Sequence, residues 1–268
     1  MRTLVKQWLD EGRVDIFIGY KSVDGHPLPF FFTRENLDEV EHLIDGPVRY
    51  PLEKLACKIA ACRPDRKIGI LARDCTHRAL NVLYIWNRID PNQVMPLDVS
   101  CCPSPLKEAP NCSYLRADAS GSVKKQCGID NAMSIEAFEA CLQPERFGRW
   151  MNEFQKCIKC YGCRNVCPVC FCNDCSLEHD DLIKTGELPP EVPLFHLVRA
   201  THMAGRCIDC GLCEEACPMD IPLRLLYRKV NQITADLFDY QAGANKEPSP
   251  LNMLGAEVKL TPRAIDAF

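Results

Sequence analysis

The chain has 268 residues, 47% hydrophobic and 25% charged, a balance that supports a folded core and excludes a disordered chain. Its 32 basic and 36 acidic residues leave a formal charge of -4, which excludes the basic footprint of a nucleic-acid binder. The unusual figure is 19 cysteines, more than a core needs, so they require a chemical use.

Disulfide scaffolds are short, secreted and even in cysteine count, whereas this chain is long and its count is odd. Residues 1–15 carry charges where a signal peptide needs an apolar run. The uncharged stretch Ile16 to Tyr20 falls far short of the roughly 20 residues that cross a bilayer. These features predict a soluble protein of the reducing cytoplasm, without a transmembrane segment, whose thiols hold metal.

Residues 1 to about 125 read as mixed α/β. Val14 to Tyr20 is a strand, and Pro27 to Phe32 is its partner across an Asp24-Gly25 turn. Leu52 to Cys62 has helical spacing. Lys67 to Arg73 is a buried strand, followed by a helix from Thr76 to Asn87. Val94 to Val99 is another strand, which Pro96 places at an edge or ends early. Strand, helix, strand in that order predicts a parallel pair.

Further on, two strings stand out: CIKCYGCRNVCP from Cys157 and CIDCGLCEEACP from Cys207. Each is C-x2-C-x2-C-x3-C-P, the bacterial ferredoxin pattern for a [4Fe-4S] cluster, in which the fourth cysteine serves the other cluster of a pair. The expected ligands are Cys157, Cys160, Cys163 and Cys217 for one cluster. The other takes Cys207, Cys210, Cys213 and Cys167. Zinc favours two separated cysteine pairs over three in tandem.

The strings lie 40 residues apart, from Cys167 to Cys207. Between them Pro193 and Gly205 bracket a helix with an apolar stripe at Leu194, Leu197, Val198 and Ala204. After the second string, Pro222 precedes a stripe of Leu223, Leu226, Val230, Ile233 and Leu237. This arrangement, over about 150–240, resembles the α-helical ferredoxin domain of succinate dehydrogenase and heterodisulfide reductase iron–sulfur subunits.

Eleven cysteines remain outside the two strings. Cys57, Cys62 and Cys141 lie in predicted helices, where free cysteine acts as a small hydrophobe. Cys75 follows Lys67 to Arg73 and Cys101 follows Val94 to Val99, at strand ends where parallel sheets hold ligands. With the later Cys172-Asn-Asp-Cys175, this half resembles the β subunits of F420-reducing hydrogenase and F420-linked formate dehydrogenase. The resemblance covers roughly 10–180 and implies a [4Fe-4S] cluster beside a flavin. A third cluster held by Cys75, Cys101, Cys172 and Cys175 is therefore an expectation. Cys102, Cys112, Cys127 and Cys170 are substitutes, and a four-thiolate zinc is the competing centre. No G-x-G-x-x-G is present, so FAD has no motif of its own.

His196 and His202 are six apart on the linking helix, on different faces, which argues against joint ligation. No nucleophile with an adjacent base stands out. Lys156, Lys159, Arg164, Arg199, Arg206 and Arg224 crowd the strings, either as surface charge or as neighbours that favour reduced clusters.

The expected fold is an α/β N-terminal domain (1–145), a mainly α-helical two-[4Fe-4S] ferredoxin domain (146–240) and an extended C-terminal arm (241–268). The expected role is a non-catalytic electron-transfer subunit, relaying single electrons through [4Fe-4S] clusters between partner subunits of an anaerobic oxidoreductase complex of the formate or aldehyde dehydrogenase, hydrogenase or heterodisulfide-reductase type. Its partners would be a catalytic subunit and a flavin- or cluster-bearing one. The rival is a flavin-containing subunit that reduces F420 or NAD(P). A redox-sensing regulator lacks a helix-turn-helix or basic stripe to support it.

Overall fold

The computed structural model describes residues 1–45, 49–99, 135–184, 187–188 and 191–252. The chain divides into two units, Met1–Lys107 with Gly243–Glu247, and Glu108–Ala242 with Pro248–Phe268.

In the first unit the apolar run after Val14 becomes β1 (Ile16–Val23), antiparallel to β2 (His26–Thr33). Asp24 (φ 51°) and Gly25 (φ 80°) make the turn. Positive φ at both central residues gives a hairpin turn whose twist matches the strands, hence Asp-Gly. A 3-10 helix (Arg34–His42) leads to the short β3 (Leu43–Ile44), which also pairs with β1. Helix α1 (Arg2–Asp10) buries Val5, Trp8 and Leu9, with Trp8 edge-on to Phe17. Helix α2 (Leu52–Cys62) carries the chain to β4 (Ile68–Ala72), and α3 (Asp74–Ile85) carries it to β5 (Val94–Asp98).

The strand path is β2-β1-β4-β5, with β4 parallel to both neighbours. Paired on both sides, β4 is buried along its whole length. A Cβ at its Gly69 would strike the Phe17 ring, so the close packing needs glycine. Both edge strands carry proline, Pro27 and Pro29 in β2 and Pro96 in β5, as strands with one open side tolerate. The hairpin, the parallel pair and the edge position thus agree with the sequence reading.

One expectation fails here. Cys57 is buried, but Cys62 is exposed as the last residue of α2, and Cys141 is half-buried in a bend outside any helix. A thiol at a helix end has no second layer to cover it. Within 241–268, Gly243 (φ 75°) lies against the Arg78 carbonyl and accepts a hydrogen bond from Asn81 Nδ2 at 3.1 Å. Lys246 sits over the Tyr84 ring, so this part of the expected arm packs on α3. Residues 253–268 lie outside the described residues.

The regular elements described in the second unit are helices: α4 (Ile135–Glu139), α5 (Gln143–Gln155), α6 (Gly162–Asn165), α7 (Leu194–Met203), α8 (Leu212–Glu215) and α9 (Leu223–Phe238). An aromatic run ties α4, α5 and α7 to the first cysteine string. Phe138 meets Trp150, Trp150 stacks on Phe154, Phe154 on His196, and Phe195 meets Tyr161 edge-on. Phe195 also packs with Leu177 and Ile183. Pro193 caps α7 and Pro222 caps α9, as the sequence led one to expect.

The buried faces of these helices differ from the aliphatic stripes. Leu194 and Leu197 are 38% and 45% exposed, whereas α7 buries Phe195, His196, Arg199, Ala200 and Met203. In α9, Ile233 is 46% exposed, and Leu223, Arg224, Tyr227 and Thr234 are buried. The inward faces meet thiols and backbone carbonyls: Arg199 donates to the Cys163 carbonyl, and Asn231 to that of Cys207. Polar side chains are the right partners for such surroundings, and an aliphatic stripe does not reveal them.

Candidate metal centre

Both cysteine strings fold into the same loop. Lys159 (φ 49°) and Tyr161 (φ 58°) are left-handed in the first, and Asp209 (φ 53°) and Gly211 (φ 79°) occupy the matching positions in the second. One turn of helix follows in each, α6 and α8. The Cys167 N–H then donates to Arg164 C=O at 3.2 Å, and the Cys217 N–H to Glu214 C=O at 3.0 Å.

Alternating handedness turns successive amide N–H groups inward, the geometry of a backbone anion nest. Here the amides meet sulfur. Lys159 N–H donates to Cys157 Sγ at 3.4 Å, Gly162 N–H to Cys160 Sγ at 3.5 Å, and Asp209 N–H to the Cys207 thiol. A left-handed Tyr161 costs about 1–2 kcal/mol. Its side chain is well held in return, donating to Leu177 C=O at 2.7 Å and lying under the Arg164 guanidinium.

Burial pushes the Cys163 thiol up to about 11 against the pull of Arg199, with Cys157, Cys217 and Cys160 adding to the rise. Cys207 is half-buried as a residue, yet burial of its thiol pushes it up to about 12. Cys213 rises well above its ordinary value by burial, with Cys210, Cys207 and Cys167 contributing. The first string's three thiols therefore share their surroundings with Cys217, and the second string's with Cys167. Cys167, Cys207, Cys210 and Cys213 also line one cavity, with Arg199 and Tyr227 in its wall. Helix α6 packs on α8 beside them. A Cβ at Gly162 would stand 3.1 Å from the Ala216 carbonyl oxygen and 3.5 Å from Cys160 Sγ.

Charged side chains pin each loop. Lys159 Nζ, buried, donates to Lys184 C=O at 2.5 Å and faces Glu191 at 3.4 Å. Asp209 takes the opposite charge at the same position, accepting from Arg224 Nε at 2.7 Å with Arg228 at 3.7 Å.

Arg199 tests whether the residues fit an iron–sulfur group. Its Nη2 donates to Cys163 C=O at 2.8 Å, its Nη1 to Cys170 Sγ at 3.8 Å, and its guanidinium lies 5.6 Å from the Tyr227 ring centre. No carboxylate among the described residues pairs with it, and Nε lacks a partner. A buried cation needs negative charge nearby. Thiolate-ligated clusters supply it, so the side chains fit the group.

The remaining thiols are more scattered. Cys172 Sγ accepts from Arg206 at 3.9 Å, and Cys175 bonds Arg164. Of the expected third set, Cys75 lies in the first turn of α3 in the first unit, and Cys172 and Cys175 belong to the second. Cys101 falls outside the described residues, as do Cys102, Cys112 and Cys127. Among the described residues no three His, Cys, Asp or Glu side chains draw together as one metal ion requires. His196 is buried and His202 exposed, on different faces as their spacing implied. Neither ring nitrogen of His196 has a partner. Arg199 and the charge-inverted pins escaped the aliphatic pattern. The signal for Arg199 was its place four residues from both Phe195 and Met203, on their helix face.

Repeated sulfur-rich loops on a helical scaffold define an iron–sulfur protein of the electron-transfer class. Residues 200–222, spanning Cys207 to Cys217, match the 4Fe-4S binding domain. The chain is similar to the F420-dependent formate dehydrogenase subunit beta of Methanocaldococcus jannaschii, 43% identical over 103 residues, 38% of this chain and 27% of the relative. It is also 46% identical over 101 residues to the F420-dependent formate dehydrogenase 1 subunit beta of Methanococcus maripaludis, covering 38% of this chain and 26% of that protein. The matches span about a quarter of the length of these relatives. Among the described residues no helix is long and apolar enough to cross a membrane.

Proposed function

We propose that the chain relays single electrons through two [4Fe-4S] clusters as a subunit of a multi-subunit anaerobic oxidoreductase in the cytoplasm. Cys157, Cys160, Cys163 and Cys217 would hold one cluster, and Cys207, Cys210, Cys213 and Cys167 the other. The observation that supports this reading is the cavity lined by Cys167 of the first string together with Cys207, Cys210 and Cys213 of the second, beside which α6 packs on α8. A cubane supplies a one-electron couple with no protein ligand position left open for substrate. The chain's own task is then to hold eight thiolates, aim amide N–H groups at them and exclude water. A cubane meets each thiolate through a separate iron, so its donors stand wider apart than those around a single zinc ion.

The partners would be a catalytic subunit, with formate oxidation suggested by the relatives' names, and a flavin- or cluster-bearing subunit. Iron and acid-labile sulfide counts on anaerobically prepared protein test the reading. Two clusters give about eight irons and a third gives about twelve. Twelve would support a third cluster, for which Cys75, Cys101, Cys172 and Cys175 are the first candidates, and zinc without sulfide would refute the relay.

The F420-dependence in the relatives' names supports a second reading, in which the chain passes electrons to F420; the flavin, and NAD(P) as another acceptor, enter this reading only through the resemblance noted above. Stoichiometric flavin released from acid-denatured protein would select it over the pure relay.

A further inference from the structure

We propose that Arg199 is a positioning residue shared by both clusters, a single buried guanidinium that raises the two reduction potentials together. The inference rests on the two-cluster reading above. One hydrogen bond ties Arg199 to the Cys163 carbonyl of the first quartet, while the same side chain lines the cavity of Cys167, Cys207, Cys210 and Cys213. It is 3% exposed, and Tyr227 covers its face.

The other cations near the strings are spent or screened. Lys159 faces Glu191, Arg164 pairs with Glu178, and Arg224 pairs with Asp209. Lys156 is exposed and bound to Glu153, and Arg206 is half-exposed over Phe171. Water and counter-ions weaken an exposed charge, whereas a buried one keeps its reach. One-electron reduction of either cluster would add one negative charge near Arg199, with no bond made and no proton moved at the guanidinium. A fixed cation facing both quartets favours that change at either one. It also offsets the repulsion when both are reduced.

The test uses the full chain loaded anaerobically with iron and sulfide, as wild type, Arg199→Gln and Arg199→Lys. Iron and sulfide are counted first, and both midpoint potentials are then read by potentiometric titration followed by electron paramagnetic resonance. The Gln variant is expected to keep the wild-type iron while reduction becomes about tenfold less favourable at both clusters, a fall of about 59 mV for one electron. The Lys variant is expected to recover most of that loss, which a purely steric role would not give. A Gln variant that loses iron beside a Lys variant with wild-type iron and potentials also supports the role of charge. Unmoved potentials, a shift confined to one cluster, or equal iron loss in both variants overturn the proposal. Wild-type protein that takes up no iron would instead defeat the cluster reading itself.

Discussion

The loops beginning at Cys157 and Cys207 follow one backbone path and fasten it with opposite charges. Where the first has Lys159 held by Glu191 and the Lys184 carbonyl, the second has Asp209 held by Arg224 and Arg228. Where the first accepts a left-handed Tyr161 and then Gly162, the second has Gly211 and then Leu212. Thiol spacing and inward amides are common to both, and the fastenings are not. One thiol spacing therefore goes with one loop path, while each loop secures that path with its own neighbours.

The largest expected effect breaks the two loops apart by their fourth cysteines. Cys217→Ser should remove roughly half the iron and expose Cys157, Cys160 and Cys163 to alkylation, although it lies in the other string. Cys167→Ser should do the same to Cys207, Cys210 and Cys213. Mass mapping of anaerobically alkylated protein reads the outcome. Labelling confined to the mutated residue's own string would mean that the strings do not cross.

A smaller effect comes from the glycine that only the first loop has at its helix start. Gly→Ala ordinarily gains up to about 1 kcal/mol inside a helix. At Gly162 the new Cβ would press on a backbone carbonyl 3.1 Å away, which cannot swing aside as a side chain can. Overpacking of this kind costs about 1–3 kcal/mol, so the net sign is destabilising. Gly162→Ala should lower the apparent unfolding midpoint and release iron from the first loop sooner than from the second. Equal release from both loops would show that α6 and α8 yield freely.

Much of the fold was legible beforehand, because cysteine spacing and strand periodicity are local. The two strings, the Asp24-Gly25 hairpin, the parallel pair and the edge position of Pro96 all follow from a few adjacent residues. The helix faces were not legible. Counting aliphatics on α7 selects Leu194 and Leu197, but its inward face meets thiols and carbonyls and carries Arg199 and His196. Cys62 and Cys141 failed for a related reason, since burial depends on what covers a residue and not on its own hydrophobicity. The pinning pairs join residues 32 and 15 positions apart, Lys159 to Glu191 and Asp209 to Arg224. No local pattern encodes such partners.

The smallest expected effect sharpens the comparison through acid. Hydrogen bonds from the Lys184 N–H and its own N–H, with Lys159 nearby, hold the Glu191 carboxyl below its ordinary range. In the second loop, burial raises Glu214 instead, against a hydrogen bond from the Arg224 N–H. The signs follow from proton linkage. Glu191 binds fewer protons folded than unfolded, so its contribution is present above the ordinary carboxylate value of about 4.3 and lost as pH falls through its lower folded value. Glu214 takes its proton earlier in the folded chain, so its contribution grows as pH falls from neutral toward that value. Thermal melts across the acid range should show Glu191→Gln flattening the loss of stability. Glu214→Gln should remove a gain while keeping an oxygen for the Arg224 N–H. If both variants change the pH slope in the same direction, the two loops do not differ in how their fastenings respond to protons.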